Sequence, residues 1–258
     1  MFVKNTSSAS ASFLICFCVM VLALNSAIWS VPRCVDKDPR GQYPTTNDSI
    51  NFTIENLECE VHYELLLGDN VHYKNCNEYA RGLAVEARKS LIARYDSFYL
   101  DLKDIQPNCF HSIYISPYFV SNKLICYRED AFIFYGGPLG NEGDWHLLTS
   151  KDRVFSNTSL NDLLNPSGAF IEVITTYVEN CLLTKGASDV LEGNYSMNYD
   201  KIKDVGVTNV GLCYMFDKYE VGNGSEGTFE VLVPWNLIKD FIPQNGILFE
   251  MLKEKKLL

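Results

Sequence analysis

Basic residues are scarce in this 258-residue chain, where 22 Lys and Arg stand against 32 Asp and Glu for a formal net charge of −10. Nucleic-acid binding depends on clustered Lys and Arg, so this balance disfavours a broad nucleic-acid surface. Pro and Gly are also few, at 9 and 16 residues, which excludes a collagenous or low-complexity chain. The hydrophobic share of 47% is that of a chain that folds around a core.

Motifs for catalysis and metal binding are missing as well. The sequence has no His-Glu-x-x-His and no Gly-x-Ser-x-Gly, and the spaced glycines of residues 137–143 lack the Lys-Ser/Thr pair that cradles phosphate. Asp144-Trp145-His146 brings a carboxylate and an imidazole close together, but one exposed His at a strand start is the simpler interpretation. The sequence therefore predicts no catalytic residue, no metal ligand and no cofactor. The four histidines are His62, His72, His111 and His146.

The start of the chain is typical of a secretory signal peptide. Lys4 precedes an apolar run of 12 residues, Phe13 to Leu24, and small residues follow at Ala27 and Ser30. A membrane-spanning helix needs roughly 20 residues, so cleavage is favoured, with a mature protein that begins between Ile28 and Val31. An uncleaved anchor that extends to Val31 is the alternative. Cleavage would remove Lys4 and take the net charge from −10 to −11. The signal peptide predicts that the protein is secreted.

Five Asn-x-Ser/Thr sequons lie downstream of this leader. Asn165-Pro166-Ser167 is excluded by its Pro. Together with a signal peptide, the five predict a eukaryotic secreted glycoprotein with these asparagines at its surface. The candidate glycosylation sites are Asn47, Asn51, Asn157, Asn194 and Asn223.

Seven cysteines remain once Cys16 and Cys18 leave with the leader. An oxidising compartment allows up to three disulfides and one remaining thiol. The absence of Cys-x-x-Cys and of a paired Cys/His cluster disfavours a zinc or redox site. Local spacing makes Cys59 with Cys76 and Cys109 with Cys126 the candidate pairs. The seven disulfide candidates are Cys34, Cys59, Cys76, Cys109, Cys126, Cys181 and Cys213.

Three segments divide the chain. Residues 1–27 form the leader, residues 28–56 an extended, glycosylated lead-in without periodicity, and residues 57–258 a single domain that begins near Leu57. Apolar positions at helical spacing predict helices over 77–100 and 168–185, the second ended by Gly186. Ser159 and Asp162 form an approximate capping box for a short helical turn.

Strand character fills much of the remaining chain. Antiparallel strands are predicted between Phe110 and Phe155, with turns at Pro117, Ser121-Asn122 and Gly136-Gly137. Residues 186–206 are polar and predict a surface excursion. A hairpin follows, with Leu212, Tyr214 and Phe216 on one strand and Phe229, Val231 and Val233 on the next, all facing the core. A short helix from Trp235 to Phe241, closed by Pro243, ends the pattern.

Three segments in the second half of the chain resemble a known family. They are the turn Tyr135-Gly136-Gly137-Pro138-Leu139-Gly140, the stretch Leu160-Asn161-Asp162-Leu163-Leu164, and Phe216-Asp217-Lys218-Tyr219-Glu220-Val221 leading to Val233-Pro234-Trp235. Their order is similar to that of the RsiV-type extracytoplasmic domain, a family of unknown general function found in an anti-sigma factor and beside polysaccharide deacetylases. The likeness covers about residues 125–243.

This resemblance implies an α+β domain with a mostly antiparallel sheet and helices packed on one face. In the anti-sigma factor the domain binds a lysozyme and catalyses nothing, but a fold-level likeness does not carry that partner over. The family has Ala-His where this chain has Pro138-Leu139, so no role of that His is transferred. The sequons and cysteines are foreign to a bacterial protein and indicate a diverged eukaryotic version.

The sequence therefore predicts a secreted glycoprotein that binds an extracellular protein or glycan partner, is not an enzyme, and is not inserted in a membrane after cleavage. An acidic extracellular-matrix or biomineral-associated protein is the alternative, although the acids are dispersed and form no run suited to dense calcium ligation. A hydrolase acting on cell-wall or matrix glycan is a third hypothesis. It rests on the family's neighbours alone, and no deacetylase domain fits in the remaining residues.

Overall fold

The computed structural model describes residues 34–35, 38–54, 57–97, 109–134, 140–151, 154–164, 166–198 and 205–258. These residues belong to one compact unit, Cys34–Leu258. The predicted leader, its cleavage site and the Gly136-Gly137 turn lie outside the described residues.

A six-stranded sheet forms the centre of this unit, with its strands in sequence order. Neighbouring strands are antiparallel except β2 and β3, which are parallel. Parallel neighbours need a long crossover, and helix α1, Val71–Ser97, lies in the chain between them. The strands are β1 Thr45–Ile54, β2 Leu57–Leu66, β3 Phe110–Val120, β4 Leu124–Phe134, β5 Gly140–Lys151 and β6 Val154–Asn157.

A second, antiparallel sheet of three strands follows, with most of the remaining helices around it. The mixture of mostly antiparallel sheets and helices confirms the predicted α+β class. The strands are β7 Gly206–Val207, β8 Gly211–Phe216 and β9 Phe229–Pro234. The helices are α2 Leu160–Leu164, α3 Gly168–Lys185, α4 Ser188–Leu191, α5 Trp235–Ile238, a 3-10 turn Lys239–Phe241, and α6 Ile247–Glu254.

The six-stranded sheet separates two hydrophobic cores. Along β4, Ile125 and Tyr127 belong to the core beneath α1, whereas Leu124 and Cys126 belong to the core that contains the three-stranded sheet. Successive side chains of a strand point to opposite faces, so one strand serves both cores. The large sheet is thus covered by a helix on one face and by the small sheet on the other.

Helix α1 has the buried stripe that its sequence predicts. Its six buried residues recur every three or four positions, which is the spacing of one helix face. The helix begins at Val71, six residues before the predicted start at Asn77, and its described part ends at Ser97. The buried residues are Cys76, Ala80, Ala84, Ala87, Leu91 and Tyr95.

The predicted hairpin and its register are confirmed. Tyr214 pairs with Val231, and Phe216 with Phe229. The opposite face of the hairpin lies against the large sheet: Met215 is next to Gly143 of β5, and Glu230 pairs with Arg128 of β4.

The folded part begins earlier than the predicted Leu57. Residues 45–54 of the expected lead-in form β1, an edge strand that pairs with β2 along its whole length. Tyr43 also ties this segment to β3, because its hydroxyl oxygen accepts a hydrogen bond from the Val120 N–H at 2.9 Å. The strand was missed because most of its side chains are exposed, and the alternation of Ile50, Phe52 and Ile54 with polar residues is confined to its second half.

Two other local predictions are wrong. Pro117 does not form a turn; it lies within β3, beside the irregularity between Pro117 and Phe119, where a strand tolerates proline. Residues 186–206 are not wholly a surface excursion, because Val190 and Tyr195 are buried. The Ser159–Asp162 capping box and the Gly186 helix end are confirmed.

The candidate disulfide pairs also differ from the structure. Cys34 bonds with Cys181, while Cys59, Cys76, Cys109, Cys126 and Cys213 are free and buried. Cys109 and Cys126 cannot pair as predicted because they belong to the cores on opposite faces of the sheet. Cys59 and Cys76 share the core beneath α1 without a bond.

Candidate acidic cleft

A cleft of about 710 Å³ lies between the second half of α1 and strands β3 to β5. We call it the acidic cleft. Small residues create its space, since Ala87 and Ala93 of α1 face Ala131 of β4 across it. Leu91 and Ile113 add apolar surface, and both are buried. The described lining residues are Ala87, Ser90, Leu91, Ala93, Arg94, His111, Ile113, Glu129, Ala131, Glu142, Gly143, Asp144 and Asp217.

Carboxylates crowd one wall of the cleft. Glu129 of β4 lies directly opposite Asp144 of β5, and Glu142 follows two positions away on the same face of β5. Side chains directly opposite in an antiparallel pair have Cβ atoms about 4.5–5.5 Å apart, and like charges there destabilise the sheet. The wall therefore concentrates negative charge at a cost to folding.

Asp217 joins this wall from the small sheet. Strand β6 pairs only with residues 148–151 of β5, so the first half of β5 is an edge among the described strands. The Asp217 carboxylate accepts the Gly143 N–H at 3.0 Å, and Asp144 accepts the Trp145 N–H at 2.7 Å. These carboxylates occupy donors of an open sheet edge while they line the cleft.

Two positively charged or ionisable groups approach the same wall. Arg94 is the only Lys or Arg among the described lining residues, and its guanidinium lies 3.4 Å from the Glu142 carboxylate. His146 Nε2 lies 3.2 Å from Glu129. Over the lining residues that the structure describes, four carboxylates stand against one guanidinium, which is a negative balance.

His111 of β3 lines the cleft, and its ring is buried and bonded to a neighbouring side chain. Its ring is 1% exposed, and Nδ1 lies 3.0 Å from the Tyr95 hydroxyl of α1. Burial, with a smaller contribution from the nearby Arg94 charge, lowers its pKa to about 4, so the ring is neutral at physiological pH. Its Nε2 has no hydrogen-bond partner among the described residues.

The predicted triplet Asp144-Trp145-His146 is divided between the two faces of β5. Trp145 is buried against the small sheet, where its ring approaches Tyr118 edge-on at 5.1 Å. Asp144 and His146 point to the other face and line a smaller, adjoining cavity with Glu129. The motif therefore contributes two polar side chains to the cleft region and one aromatic side chain to the core.

Most of the cleft was not found from the sequence. Arg94, Glu129, Glu142 and Asp217 are far apart in the chain and meet only through strand pairing and the crossover of α1. One signal was available: Glu142, Asp144 and His146 place polar groups at alternate positions of a strand whose intervening Trp145 is buried. A period-two polar stripe of this kind indicates one open strand face.

Within the described residues, no group of three or more His, Cys, Asp or Glu could hold a metal ion. The same residues contain no helix that is long and apolar enough to cross a membrane.

All five predicted glycosylation asparagines lie at exposed positions. Asn47 and Asn51 are on edge strand β1 and Asn157 ends β6, while Asn194 and Asn223 lie in loops. Their exposure is compatible with the predicted modification.

The fold defines an α+β protein with a helix and a small sheet on opposite faces of a six-stranded sheet. Residues 161–236 match the model of a family described as a protein of unknown function, DUF3298. The matched segment contains nearly all of α2, then α3, the three-stranded sheet and the start of α5. It lies within the 125–243 range of the predicted resemblance. No curated protein matches the chain.

Two solved structures are similar to the chain. A DUF3298 family protein from Pseudomonas aeruginosa PAO1 has a TM-score of 0.54 and 14% identity, covering 81% of this chain and 98% of that one. A DUF3298 family member from Bacteroides fragilis NCTC 9343 has a TM-score of 0.48 and 12% identity, with 81% and 98% coverage. The first of these likenesses shows a shared fold.

Proposed function

We propose that this chain is exported as a glycoprotein and acts by binding an extracellular protein or glycan partner at the acidic cleft, without catalysis. The observation that carries this proposal is the cleft itself. Its opposed carboxylates Glu129 and Asp144 repel each other in the free protein. A partner that supplies complementary groups would relieve this repulsion on binding.

Export is supported by three independent features. The first 30 residues have the composition of a signal peptide, all five sequon asparagines are exposed, and Cys34 forms a disulfide with Cys181. Disulfides persist mainly in oxidising compartments. The likeness to the RsiV-type domain is part of this proposal and supports a binding role by analogy only.

The described lining residues of the cleft do not form an activated serine nucleophile. Ser90 is the only Ser, Thr or Cys among the described lining residues, and no hydrogen bond joins it to His111. A catalytic hydroxyl needs a base within hydrogen-bond reach, and a buried His111 with a pKa near 4 is a weak base.

The decisive experiment uses the mature secreted protein as bait. A partner is captured by affinity from the source secretion, identified by mass spectrometry and then titrated for binding. A Glu129→Gln/Asp144→Asn double variant is expected to bind at least tenfold more weakly. Glu78→Gln, an exposed acid on α1 outside the cleft, is the matched control and should bind as the parent does. Equal affinity of all three proteins, or release of a product from the partner, would contradict the proposal.

Export and glycosylation have their own test. Protein secreted by a eukaryotic host should start between Ile28 and Val31, and an N-glycan-removing enzyme should lower its apparent mass. Secreted material that starts at Met1, or an unchanged band after digestion, would count against this part of the proposal.

A further inference from the structure

We infer that the acidic cleft receives a Lys or Arg side chain of a protein partner. This inference rests on the proposed function and narrows its protein-or-glycan alternative to a protein with an exposed basic side chain. The evidence is the charge of the cleft, the shape of its lining and an unpartnered buried nitrogen.

The charge of the cleft favours a cation of extended shape. Among its described lining residues, Glu129, Glu142, Asp144 and Asp217 stand against Arg94 as the one Lys or Arg. The described acids do not converge on a point that could hold a metal ion. Carboxylates spread along a wall instead suit an ammonium or guanidinium group, which can donate several hydrogen bonds in different directions.

The lining also matches the stem of a basic side chain. Ala87, Leu91 and Ala93 of α1 and Ile113 and Ala131 of the sheet give the cleft an aliphatic part beside its carboxylates. Lys and Arg pack their methylene groups on apolar surface while the charged head reaches polar groups. A neutral sugar would gain less here, because no aromatic ring is among the described lining residues apart from the His111 imidazole.

His111 supplies the independent observation. Its imidazole is 1% exposed and lines the cleft, yet Nε2 has no partner among the described residues. Leaving such a buried polar atom unpaired destabilises the free protein. In the tautomer that donates Nδ1–H to the Tyr95 hydroxyl oxygen, Nε2 is an acceptor that is closed to solvent in the free protein, so an N–H of the incoming cation donates to it after a shift of the His111 ring or its neighbours.

A set of charge variants tests this inference by their affinity for a fluorescently labelled lysine decapeptide with blocked ends. A glutamine decapeptide with the same label and blocked ends is the neutral reference. The parent should bind the lysine peptide, and binding should weaken as salt is raised. Glu129→Gln/Asp144→Asn should bind at least tenfold more weakly, and Glu78→Gln should match the parent. Arg94→Gln should bind severalfold more tightly, because it removes the cation that competes for Glu142. A gain of affinity cannot come from misfolding.

Nuclear magnetic resonance of the histidine ring nitrogens tests the role of His111 directly. The Nε2 resonance, assigned by its loss in His111→Asn, should shift when the lysine peptide is added and not when the glutamine peptide is added. An unchanged resonance, an unchanged affinity in Arg94→Gln, or tighter binding of a chitin oligosaccharide than of the lysine peptide would overturn the inference.

The two proposals fail in different ways. If the captured partner depends on Glu129 and Asp144 but the lysine peptide does not displace it, the inference fails and the proposed function stands. If the captured partner binds the double variant as well as the parent, the proposed function fails too.

Discussion

Phe216 is the residue on which the register of the small sheet can be tested. Its ring is 2% exposed and approaches Tyr195 edge-on at 6.3 Å. Truncation of a buried Phe leaves a cavity, so Phe216→Ala should lower the free energy of unfolding by about 3–5 kcal/mol. Urea denaturation measures this loss.

The control is Tyr219→Ala, which truncates an aromatic ring that is 68% exposed three residues away. Surface substitutions usually change stability by less than about 0.5 kcal/mol. Met215 points to the opposite face and is only partly buried, so Met215→Ala should cost less than Phe216→Ala. Equal losses at Phe216 and Tyr219 would refute the register.

The five free cysteines are predicted to be unreactive in the native protein. Burial raises the pKa of Cys59 to about 11 and the pKa of Cys76 and Cys213 to about 12, and it also raises that of Cys126. The thiolate is the reactive form, so these groups stay protonated near pH 8 as well as shielded. Cys109 is equally buried, at 1% exposed.

In the proposed mature protein, a thiol-specific dye should therefore count no rapidly reacting thiol in the native state and five after denaturation without reductant. Detection of three or fewer thiols in the denatured protein would mean that further disulfides form, as the odd cysteine count first allowed. Rapid native labelling would contradict the burial of these residues.

At the scale of elements, the sequence predicted what local periodicity encodes. The buried stripe of α1, the helix ended by Gly186 and the β8–β9 register all depend on neighbours within a few residues, and the structure confirms them. Edge strand β1 was missed because only its second half alternates, at Ile50, Phe52 and Ile54, while its first half is polar and mostly exposed. The cleft could not be predicted because its walls come from segments that only the tertiary fold brings together.

Helix α3 offers a matched pair of glycines with opposite predicted effects. Gly168 opens the helix after the Ser167 cap and has open space around it, so Gly168→Ala should stabilise the protein by about 0.5 kcal/mol. Gly186 ends the helix with φ of 82°, where an L side chain is strained. Gly186→Ala should destabilise by about 1–2 kcal/mol, although no atom blocks its Cβ.

Thermal and urea unfolding of both variants measure this difference. Each substitution adds the same methyl group in open space, so side-chain contacts cannot explain opposite signs. Two losses of similar size would mean that the left-handed conformation at Gly186 does not govern the end of α3.

At the scale of the whole molecule, the described unit is held together across its sheets. Arg128 of β4 lies between the rings of Tyr118 and Trp145, each 5.5 Å away, and pairs with Asp130 and with Glu230 of the small sheet. Removing one partner of a buried ion pair leaves the other charge buried without a partner, which destabilises the protein. This contact fixes the small sheet on the large one, and it positions Asp217, which follows β8, at the cleft.

The Cys34–Cys181 disulfide makes the longest described covalent connection, between the start of the compact unit and α3, with a sequence separation of 147 residues. Closing so long a loop restricts the unfolded chain strongly, and natural disulfides contribute about 2–5 kcal/mol. A Cys34→Ser/Cys181→Ser double variant should therefore unfold at a lower temperature than the parent. Because both partners are replaced, no unpaired thiol confuses the comparison.

Unfolding in reductant distinguishes the stabilisation by the disulfide from other effects of the two substitutions. Unfolding in its presence should lower the parent's midpoint to that of the double variant, while the double variant should not respond. The five buried thiols carry no bond to reduce, so they should add nothing to the shift. A parent midpoint that is insensitive to reductant, or a double variant that still responds to it, would show that Cys34 and Cys181 are not the stabilising pair.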